Sequence, residues 1–260
     1  MKRLHLFEFE DLGWFPAIIR NYMTDYLQEV TNRFDFYRAI VPVIAKGVQK
    51  SGTNQILDMA SGGGGGWLNL AKHLQEDLPW VSVKLSDLYP NVSAYKKVSA
   101  QVSGFFTYST QPVNCLDVPA NLKGLRTQFL SLHHFKPRQA VQILDNAVKA
   151  GQPILLVEGQ KRDLKHFIQF FFSPIGVLLL TPFIRPFRLS RILLTYIIPV
   201  VPLFVCWDGL VSVLRTYSQT EMREMTQLVN ENENYNWEIG ETNEKGITLQ
   251  YLLGYPKEEN

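Results

Sequence analysis

Cysteine and net charge are both scarce in this chain of 260 residues. Cys115 and Cys206 are its two cysteines, too few for a disulfide framework or a cysteine-based zinc site. The formal net charge is only +2, so no overall electrostatic field favours nucleic acid as a partner. Hydrophobic residues make up 46% of the chain and charged residues 19%, which excludes a disordered chain and is typical of a globular protein.

Long apolar runs are also missing. The stretch from Met1 to Asp11 reaches acidic residues before a hydrophobic run develops, unlike a signal peptide. The most apolar region, residues 160–217, has uninterrupted runs shorter than the ~20 residues of a membrane-spanning helix, and prolines break them. We therefore expect a cytoplasmic protein, either free or peripheral on the inner face of a membrane.

Short apolar segments alternate along the chain with amphipathic ones. Five segments predict strands: Gln55–Ala60, Val81–Asp87, Phe105–Tyr108, Gly124–Leu132 and Pro153–Glu158. Helical patterns lie between them, most clearly from Pro137 to Gly151. This alternation predicts an α/β fold with a doubly wound, mainly parallel sheet that binds ligands at the carboxyl ends of its strands. Residues 237–241 and 247–255 predict a C-terminal antiparallel β-hairpin, giving seven strands in all.

The chain divides into a short N-terminal part and one large domain. Residues 1–50 are predicted to form a helical cap, because apolar residues between Tyr37 and Val48 recur at helical spacing; Pro42 is expected to kink this helix. Residues 51–260 are predicted to form the main domain. Within it, residues 160–217 break the alternation and are interpreted as an insertion.

The first predicted strand ends in Ser61 and five glycines, Gly62 to Gly66. Glycine lets a ligand approach the backbone closely, and the free amides of the following helix point the same way. Such a turn suits a dinucleotide, a phosphate or S-adenosylmethionine. Trp67 stands where a phosphate-binding loop has its lysine, which argues against that loop. A dinucleotide site stays open.

The residues from Ile56 to Gly64 resemble the first motif of the class I S-adenosylmethionine-dependent methyltransferases, a strand followed by an acidic residue and alternating small residues. Ala60 stands where the family usually has its first glycine. The resemblance implies a Rossmann-like methyltransferase fold and S-adenosylmethionine as the cofactor. It also implies that Asp58 orients the amino-acid end of the cofactor. The backbone beneath the cofactor would be that of Ala60, Ser61, Gly62 and Gly64.

Three further elements follow in the order of the family. Asp87, with Leu88 beside it, matches the acidic residue that accepts hydrogen bonds from the ribose hydroxyls. Asp117 and Val118 match the adenine-contacting position after strand three. The run Ser131-Leu132-His133-His134-Phe135 resembles the short segment after strand four that faces the transferred methyl group. Taken alone, Asp87 is equally a turn residue or helix cap, and Asp117 an ordinary loop residue.

Methyl transfer is an in-line displacement in which the protein aligns the nucleophile. A hydroxyl or ammonium acceptor must also lose a proton, and we expect O- or N-methylation in preference to C-methylation. The candidate bases are His133, His134 and Glu158, in that order. Either histidine is equally a packing residue, and Glu158 equally a helix cap. No metal site is predicted, because the other three histidines show no ligand spacing with this pair.

The insertion is strongly basic as well as apolar. Between Gln160 and Tyr217 it has seven arginines and lysines but only Asp163 and Asp208 as acids. Basic residues that flank apolar and aromatic stretches suit a segment lying on a membrane surface. A soluble lid over the active site is the equal alternative. Either interpretation predicts a small apolar, aromatic or lipid-like substrate, with candidate contacts from Trp14, Tyr22, Asp208, Arg215 and Tyr217.

Two other functions remain open from the sequence. A nicotinamide-dependent oxidoreductase would use the same glycine turn, but neither Tyr217 nor Tyr251 has a lysine four residues later. A membrane-associated protein that binds S-adenosylmethionine without catalysis is the other, because the methyl-facing residues are the least specific part of the resemblance.

Overall fold

The structure, a computed structural model, describes residues 1–258 and contains a seven-stranded sheet. Its strands are β1 (Gln55–Asp58), β2 (Ser82–Leu85), β3 (Phe106–Tyr108), β4 (Leu125–Phe129), β5 (Ile154–Glu158), β6 (Tyr235–Glu244) and β7 (Ile247–Pro256). The strand order is β3-β2-β1-β4-β5-β7-β6; β1 to β5 are parallel and β7 runs antiparallel to both neighbours. The predicted doubly wound sheet with a C-terminal hairpin is therefore confirmed. The strand order reverses between β1 and β4, where such folds bind ligands.

Helices cover both faces of this sheet. They are α2 (Val41–Ser51), α3 (Trp67–Asp77), α4 (Val92–Gln101), α5 (Pro137–Lys149) and α10 (Gln219–Gln227). Because side chains alternate along a strand, Ile56 of β1 packs in the core with α2, α3 and α4. The next residue, Leu57, packs on the other face with α5 and α10. Burial on both faces explains why these strands are apolar runs.

Two details differ from the sequence predictions. The helix predicted from Tyr37 begins at Val41, so Pro42 lies in its first turn, where a missing N–H is tolerated, and does not kink it. The fourth strand ends at Phe129, not Leu132. Leu130 has a φ of +49°, which ends the strand, and Leu132–His134 form a 3₁₀ turn.

The insertion forms a helical layer on α1 (Ala17–Arg33). Its elements are α6 (Leu164–Phe171), α7 (Ser173–Leu180), α8 (Leu189–Ile192), a π-helical turn (Leu193–Ile197) and α9 (Val200–Arg215). A third apolar core joins Tyr22, Met23 and Tyr26 of α1 to Val177 and Val201 of the insertion. Helix α2 belongs instead to the main core, so the predicted cap of residues 1–50 is divided between two cores. Residues 259 and 260 of the predicted main domain lie outside the described residues.

None of the helices within residues 1–258 is by itself long and apolar enough to span a membrane. Two bent pairs reach that length and apolarity together. Leu164–Phe171 with Ser173–Phe183 bends by 42°, and Leu189–Ile197 with Val200–Arg215 bends by 72°.

Candidate active site

The glycines between β1 and α3 have two different roles. A Cβ on Gly66 would overlap the ring of Tyr37, and one on Gly64 would lie 2.8 Å from Val98 Cγ2, so packing requires both glycines. Gly62 has a φ of +51°, and a Cβ there would have no atom within 4 Å. Gly65, with a φ of +43°, also has no atom within 4 Å of an added Cβ, so Gly62 and Gly65 both face open space, and Gly62 is the one whose amide bonds to Asp87.

Asp58 shapes this turn from inside. Its side chain is buried and accepts hydrogen bonds from Ser61 Oγ (2.6 Å), Trp67 Nε1 (2.8 Å) and Thr127 Oγ1 (3.0 Å). Burial raises its pKa to about 6, although these three bonds oppose the shift. Three internal donors occupy the carboxylate, so the structure places Asp58 as a support of the turn. Ala60 is half-buried, and Ser61 is buried with its amide bonded to Ser86 O (2.9 Å).

Asp87 connects the end of β2 to the glycine turn. One carboxylate oxygen accepts the amide of Gly62 (2.9 Å) and the other accepts the amide of Tyr89 (2.9 Å). Each oxygen retains capacity for a further donor. Burial raises the pKa of Asp87, opposed by these backbone hydrogen bonds. The structure thus brings Asp87 and Gly62 together, with Leu88 exposed beside them.

The loop after β3 contacts Asp87 through residues that precede the predicted Asp117 in the sequence. The amide of Val113 donates to the backbone oxygen of Asp87 (2.9 Å), and Cys115 is buried next to it. Asp117 is exposed, and Val118 packs on the side of α5, its amide bonded to Asn146 Oδ1 (3.2 Å). The contacts therefore place Val113 to Cys115 at Asp87 in preference to Asp117, which was selected because it carries a carboxylate.

Tyr95 of α4 also lies beside the turn and was not predicted. Its side chain is fully buried, and its hydroxyl has no hydrogen-bond partner within residues 1–258. Burial raises its pKa, and the charges of Asp87 and Asp58 add to the shift. A tyrosine at an apolar position of an amphipathic helix indicates packing, so the sequence pattern gave no sign of this placement.

Helix α1 forms a wall over the glycine turn. The Asn32 side chain donates to Gly65 O (3.1 Å) and accepts the amide of Asn69 (3.2 Å). A Cβ on Gly63 would lie 3.8 Å from Thr24 Oγ1. The N-terminal helix therefore contacts the turn directly.

His133 and Glu158 form a buried pair at the ends of β4 and β5. His133 is 2% exposed and Glu158 fully buried. Nδ1 of His133 lies 2.9 and 3.0 Å from the two Glu158 oxygens, and the His133 amide donates to Oε1 (3.0 Å). Gln160 Nε2 donates to Glu158 Oε2 (3.4 Å). Glu158 thus fixes the imidazole ring and leaves Nε2 as its second nitrogen. Leu132, predicted at the cofactor, is buried in the core instead.

Residues 3–11, here called the N-terminal segment, cover this pair. Glu8 is fully buried, with one oxygen 3.9 Å from His133 Nε2 and 3.2 Å from Arg215 Nη1. Asp11 accepts from Arg215 Nη1 (2.6 Å) and contacts His134 Nδ1 at 2.7 Å. Glu8 and Asp11 were not predicted, because more than a hundred residues separate them from His133.

The charge of His134 is set by its carboxylate neighbours. Burial disfavours a charged His134, but the carboxylates of Glu8 and Asp11 outweigh it and raise the pKa of His134 to about 10. His134 is therefore a cation at neutral pH and a poor base. Because Glu158 is bonded to His133, it acts through that residue. Of the three predicted bases, His133 has the geometry of a base oriented by a carboxylate.

Three predicted substrate contacts hold this region together. Arg215 donates to the backbone oxygens of His133 (3.1 Å) and His134 (2.8 Å), and Tyr217 to that of Phe135 (2.7 Å). Asp208 accepts the amides of two residues of the N-terminal segment, Phe9 (2.8 Å) and Glu10 (3.2 Å); burial raises its pKa to about 7. Asp208 and Arg215 are thus occupied in fixing the N-terminal segment, and Tyr217 in fixing the loop after His134.

The structure places the other two predicted substrate contacts elsewhere. Trp14 is 73% exposed, and Tyr22 is buried between α1 and the insertion with its hydroxyl 2.6 Å from Ser190 Oγ. Within residues 1–258, no hydrogen bond or ring contact joins either residue to His133 or His134.

Glu8, His133 and His134 each place one ligand atom within 4.8 Å of the others, close enough to hold a cation. Sequence spacing did not predict this set, because Glu8 lies in the N-terminal segment, far along the chain from the two histidines. The Arg215 guanidinium, 3.2 Å from Glu8, and the protonated His134 already supply positive charge there. We therefore interpret Glu8 and His134, together with Asp11 and Arg215, as an ion-pair cluster.

No protein-family model and no curated protein sequence matches this chain. Solved structures do. An O-methyltransferase from neocarzinostatin biosynthesis, in complex with S-adenosylmethionine and 2-hydroxy-5-methyl naphthoic acid, matches with a TM-score of 0.53 and 15% identity over 95% of this chain and 60% of its own. Magnesium protoporphyrin IX methyltransferase from Synechocystis PCC 6803, with bound SAH, matches with a TM-score of 0.51 and 13% identity over 93% of this chain and 99% of its own. The fold is that of the class I methyltransferases.

This methyltransferase fold does not by itself specify a reaction. A chain from Rhodobacter sphaeroides named as a Zn-dependent alcohol dehydrogenase matches with a TM-score of 0.51 and 11% identity, over 91% of this chain and 98% of its own. In addition, the chain spans only about three fifths of the length of several similar proteins, the neocarzinostatin enzyme included. The activity must therefore be argued from the site.

Proposed function

We propose that this protein is an S-adenosylmethionine-dependent methyltransferase that acts on an oxygen or nitrogen atom of a small apolar, aromatic or lipid-like acceptor. The observation that carries the proposal is the bond from the Gly62 amide to Asp87. It joins the glycine turn after β1, the strand beside which the order reverses, to a carboxylate at the end of the neighbouring strand β2. Proteins of the same fold are crystallised with S-adenosylmethionine or SAH, which supports this cofactor.

The residues present fit an adenosyl cofactor. Gly62 leaves open space above the backbone, and each oxygen of Asp87 can accept one more hydrogen bond, as two ribose hydroxyls require. The buried hydroxyl of Tyr95 lacks a partner among the described residues at the same turn. When bound, S-adenosylmethionine supplies a methyl group on a positively charged sulfur. Gly62 and Asp87 would hold its adenosyl part, and α1 would cover it.

His133 has the position and orientation of the base. With the Nδ1 proton donated to Glu158, Nε2 carries the lone pair that accepts a proton from a hydroxyl or amine. The buried carboxylate then stabilises the imidazolium cation. The N-terminal segment covers Nε2 and excludes water from it. This segment must therefore move for an acceptor to reach Nε2.

The surroundings of the site favour an apolar acceptor. Helix α9, which ends at Arg215 beside His133, packs in an apolar core with α1 and α7. One protein of the same fold is crystallised with 2-hydroxy-5-methyl naphthoic acid, an aromatic molecule. Both observations support an aromatic or lipid-like acceptor.

Isothermal titration of the purified protein with S-adenosylmethionine, SAH and NADH tests the cofactor. We expect binding of the first two, and a loss of affinity of about 10-fold or more in Asp87→Asn, because one carboxylate acceptor becomes an amide donor. Asp117→Asn is the matched control, an exposed carboxylate that should leave affinity unchanged. Binding of NADH in place of S-adenosylmethionine would establish the oxidoreductase alternative instead.

A non-catalytic protein that binds S-adenosylmethionine is the second candidate, and the burial of His133 favours it. Transfer of a labelled methyl group to a panel of phenols, aromatic amines and lipids separates the two functions. If cofactor binds but no member of a broad panel is methylated, the non-catalytic function gains support.

A further inference from the structure

The insertion presents a large unpartnered apolar surface. More than half of the large exposed hydrophobic side chains of residues 1–258 lie between Leu164 and Trp207. We call the exposed side chains of α6, α7 and residues 183–203 the free apolar face. Its members include Leu164 (67% exposed), Phe171 (57%), Leu179 (66%), Leu189 (75%) and Ile197 (72%). A monomeric soluble protein seldom exposes so large a contiguous apolar area without a partner for it.

Helix α6 carries apolar residues on two sides, and only one side is used for packing. Phe170 packs against Gly209 of α9, where an added Cβ would overlap its ring. Leu164, Ile168 and Phe171 recur at helical spacing and are all exposed. The free apolar face is thus a second, ordered stripe that the packing within the chain does not require.

Helix α7 repeats this arrangement. Val177 is fully buried in the core with α1, and Gly176 lies against the hydroxyl of Tyr26. Ile175 and Leu179 of the same helix are 54% and 66% exposed. A helix that is apolar on all sides needs an apolar environment on all sides, and this chain supplies it on one.

The charges on this surface are all of one sign. From Leu164 through Trp207 the sequence contains no aspartate or glutamate. Lys165, Arg185 and Arg188 are exposed along it, and none of the three forms an ion pair within residues 1–258. Asp163, which caps α6, and Asp25, which pairs with Arg191, are acidic neighbours, so the rim is mainly basic. An apolar surface with a mainly basic rim is complementary to a bilayer with an apolar interior and anionic headgroups.

We propose that the free apolar face docks on the surface of a lipid bilayer that contains anionic lipids. Bends of 42° and 72° break both apolar helix pairs, which suits helices that lie along the interface. Helix α9, by contrast, is largely buried and seats the insertion on α1. Docking does not depend on methyl transfer. Helix α9 also holds the His133 loop through Arg215, which links the free apolar face to the candidate base. That the acceptor is a lipid or an aromatic molecule dissolved in the bilayer rests on the proposed function.

Sedimentation with vesicles of phosphatidylcholine, alone or mixed with phosphatidylglycerol, tests the docking with the full chain. We expect the protein to sediment with the mixed vesicles and to be released by salt. Leu179→Asp should weaken partitioning by about 10-fold or more, since it replaces an inserted apolar side chain with a charge. Leu228→Asp is the matched control, because Leu228 is 69% exposed at the end of α10, away from the insertion.

A second pair of variants tests the basic rim. Arg185→Ser with Arg188→Ser should reduce binding to mixed vesicles by roughly 10-fold and leave binding to phosphatidylcholine unchanged, since only anionic headgroups attract these side chains. Lys123→Ser with Lys149→Ser, two exposed lysines elsewhere, should leave binding to both vesicles unchanged.

Three results would overturn the proposal. The wild-type protein could fail to bind either vesicle, or Leu179→Asp and Leu228→Asp could weaken binding equally. The protein could also elute as a dimer that Leu179→Asp converts to a monomer, which would make the face an interface between two copies. Titration of the same samples with S-adenosylmethionine keeps a failure of docking distinct from a failure of the proposed cofactor.

Discussion

The two halves of the candidate active site are built in different ways. At the β1 and β2 end, residues close in sequence form the glycine turn, with Asp58 bonded to Ser61 and Trp67. At the β4 and β5 end, four distant segments meet: the N-terminal segment, the His133 loop, the end of β5 and the end of α9. The first half leaves open space at Gly62, whereas the second is closed, with His133 only 2% exposed.

This contrast indicates that one half of the site binds the cofactor and the other half holds the base. In the open turn, hydrogen bonds hold the carboxylates of Asp58 and Asp87 in place before a ligand binds, which is the property of a preorganised binding site. The closed half holds a base and its orienting carboxylate under the ion-pair cluster of Glu8, Asp11, His134 and Arg215. Variants in the two halves should therefore change different measured quantities.

The largest expected effect is that of His133→Gln on methyl transfer. Losing the base should lower kcat by about 10²- to 10⁴-fold, while the affinity for S-adenosylmethionine stays unchanged because the glycine turn is intact. Steady-state rates with a methylated acceptor and calorimetric titration measure the two quantities. His134→Gln is the matched control and should lower kcat far less, since His134 is already protonated. Equal losses in the two variants would contradict the assignment of His133.

Glu158→Gln sharpens the same comparison. A glutamine keeps the size of the side chain but no longer stabilises the imidazolium, so the rate should fall and the rise of kcat with pH should move to lower pH. A merely structural role for Glu158 would lower the rate or the amount of folded protein without moving the pH profile.

The next prediction compares alanine substitutions at two glycines of the same turn. Gly62→Ala should weaken S-adenosylmethionine binding by about 10-fold or more and reduce stability by only about 1 kcal/mol, because the new methyl group enters open space from a left-handed φ. Gly66→Ala should instead reduce stability by about 1 to 3 kcal/mol through its overlap with Tyr37. Thermal unfolding and titration of both variants provide the test. Normal binding of S-adenosylmethionine by Gly62→Ala would show that the glycine turn is not the cofactor site.

The sequence predicted the local half of the site much better than the distant half. Asp87 and the glycine turn follow from the order of strands and helices, because the carboxyl ends of neighbouring parallel strands meet at one edge. Glu8 and Asp11 reach His133 only after the whole sheet and α9 have formed, and no local pattern in residues 3–11 records that contact. The same limit explains why Arg215 was linked to a substrate pocket and not to the N-terminal segment.

Composition predicted the insertion but not its two-sided packing. Apolar runs between Phe167 and Val205 show that much surface must be covered. Periodicity does not distinguish the side of α6 that packs on Gly209 from the side that stays exposed, since both are apolar. Only the placement of α9 against α6 resolves them.

A smaller effect concerns the stability of the closed half as a function of pH. The folded pKa of His134, about 10, lies above the ordinary value of 6.5, so its ion pairs contribute full stability below about pH 6.5. That contribution, on the order of a few kcal/mol, is lost as pH rises from about 6.5 to 10. The melting temperature should therefore fall over this range in the wild type. In His134→Gln the fall should be smaller, and an unchanged slope would contradict the ion-pair cluster.

The smallest expected effect is that of Tyr95→Phe at the open half. Its buried hydroxyl has no partner within residues 1–258, so removing it should change the free energy of unfolding by less than about 1 kcal/mol. Tyr235→Phe is the contrasting control, because the Tyr235 hydroxyl donates to the backbone oxygens of Ala147 and Gln152 (both 3.2 Å) and its loss should destabilise the fold. If Tyr95 meets the cofactor, the affinity for S-adenosylmethionine falls several-fold in Tyr95→Phe while stability holds. An unchanged affinity would assign Tyr95 to packing alone and leave Asp87 as the polar partner at this turn.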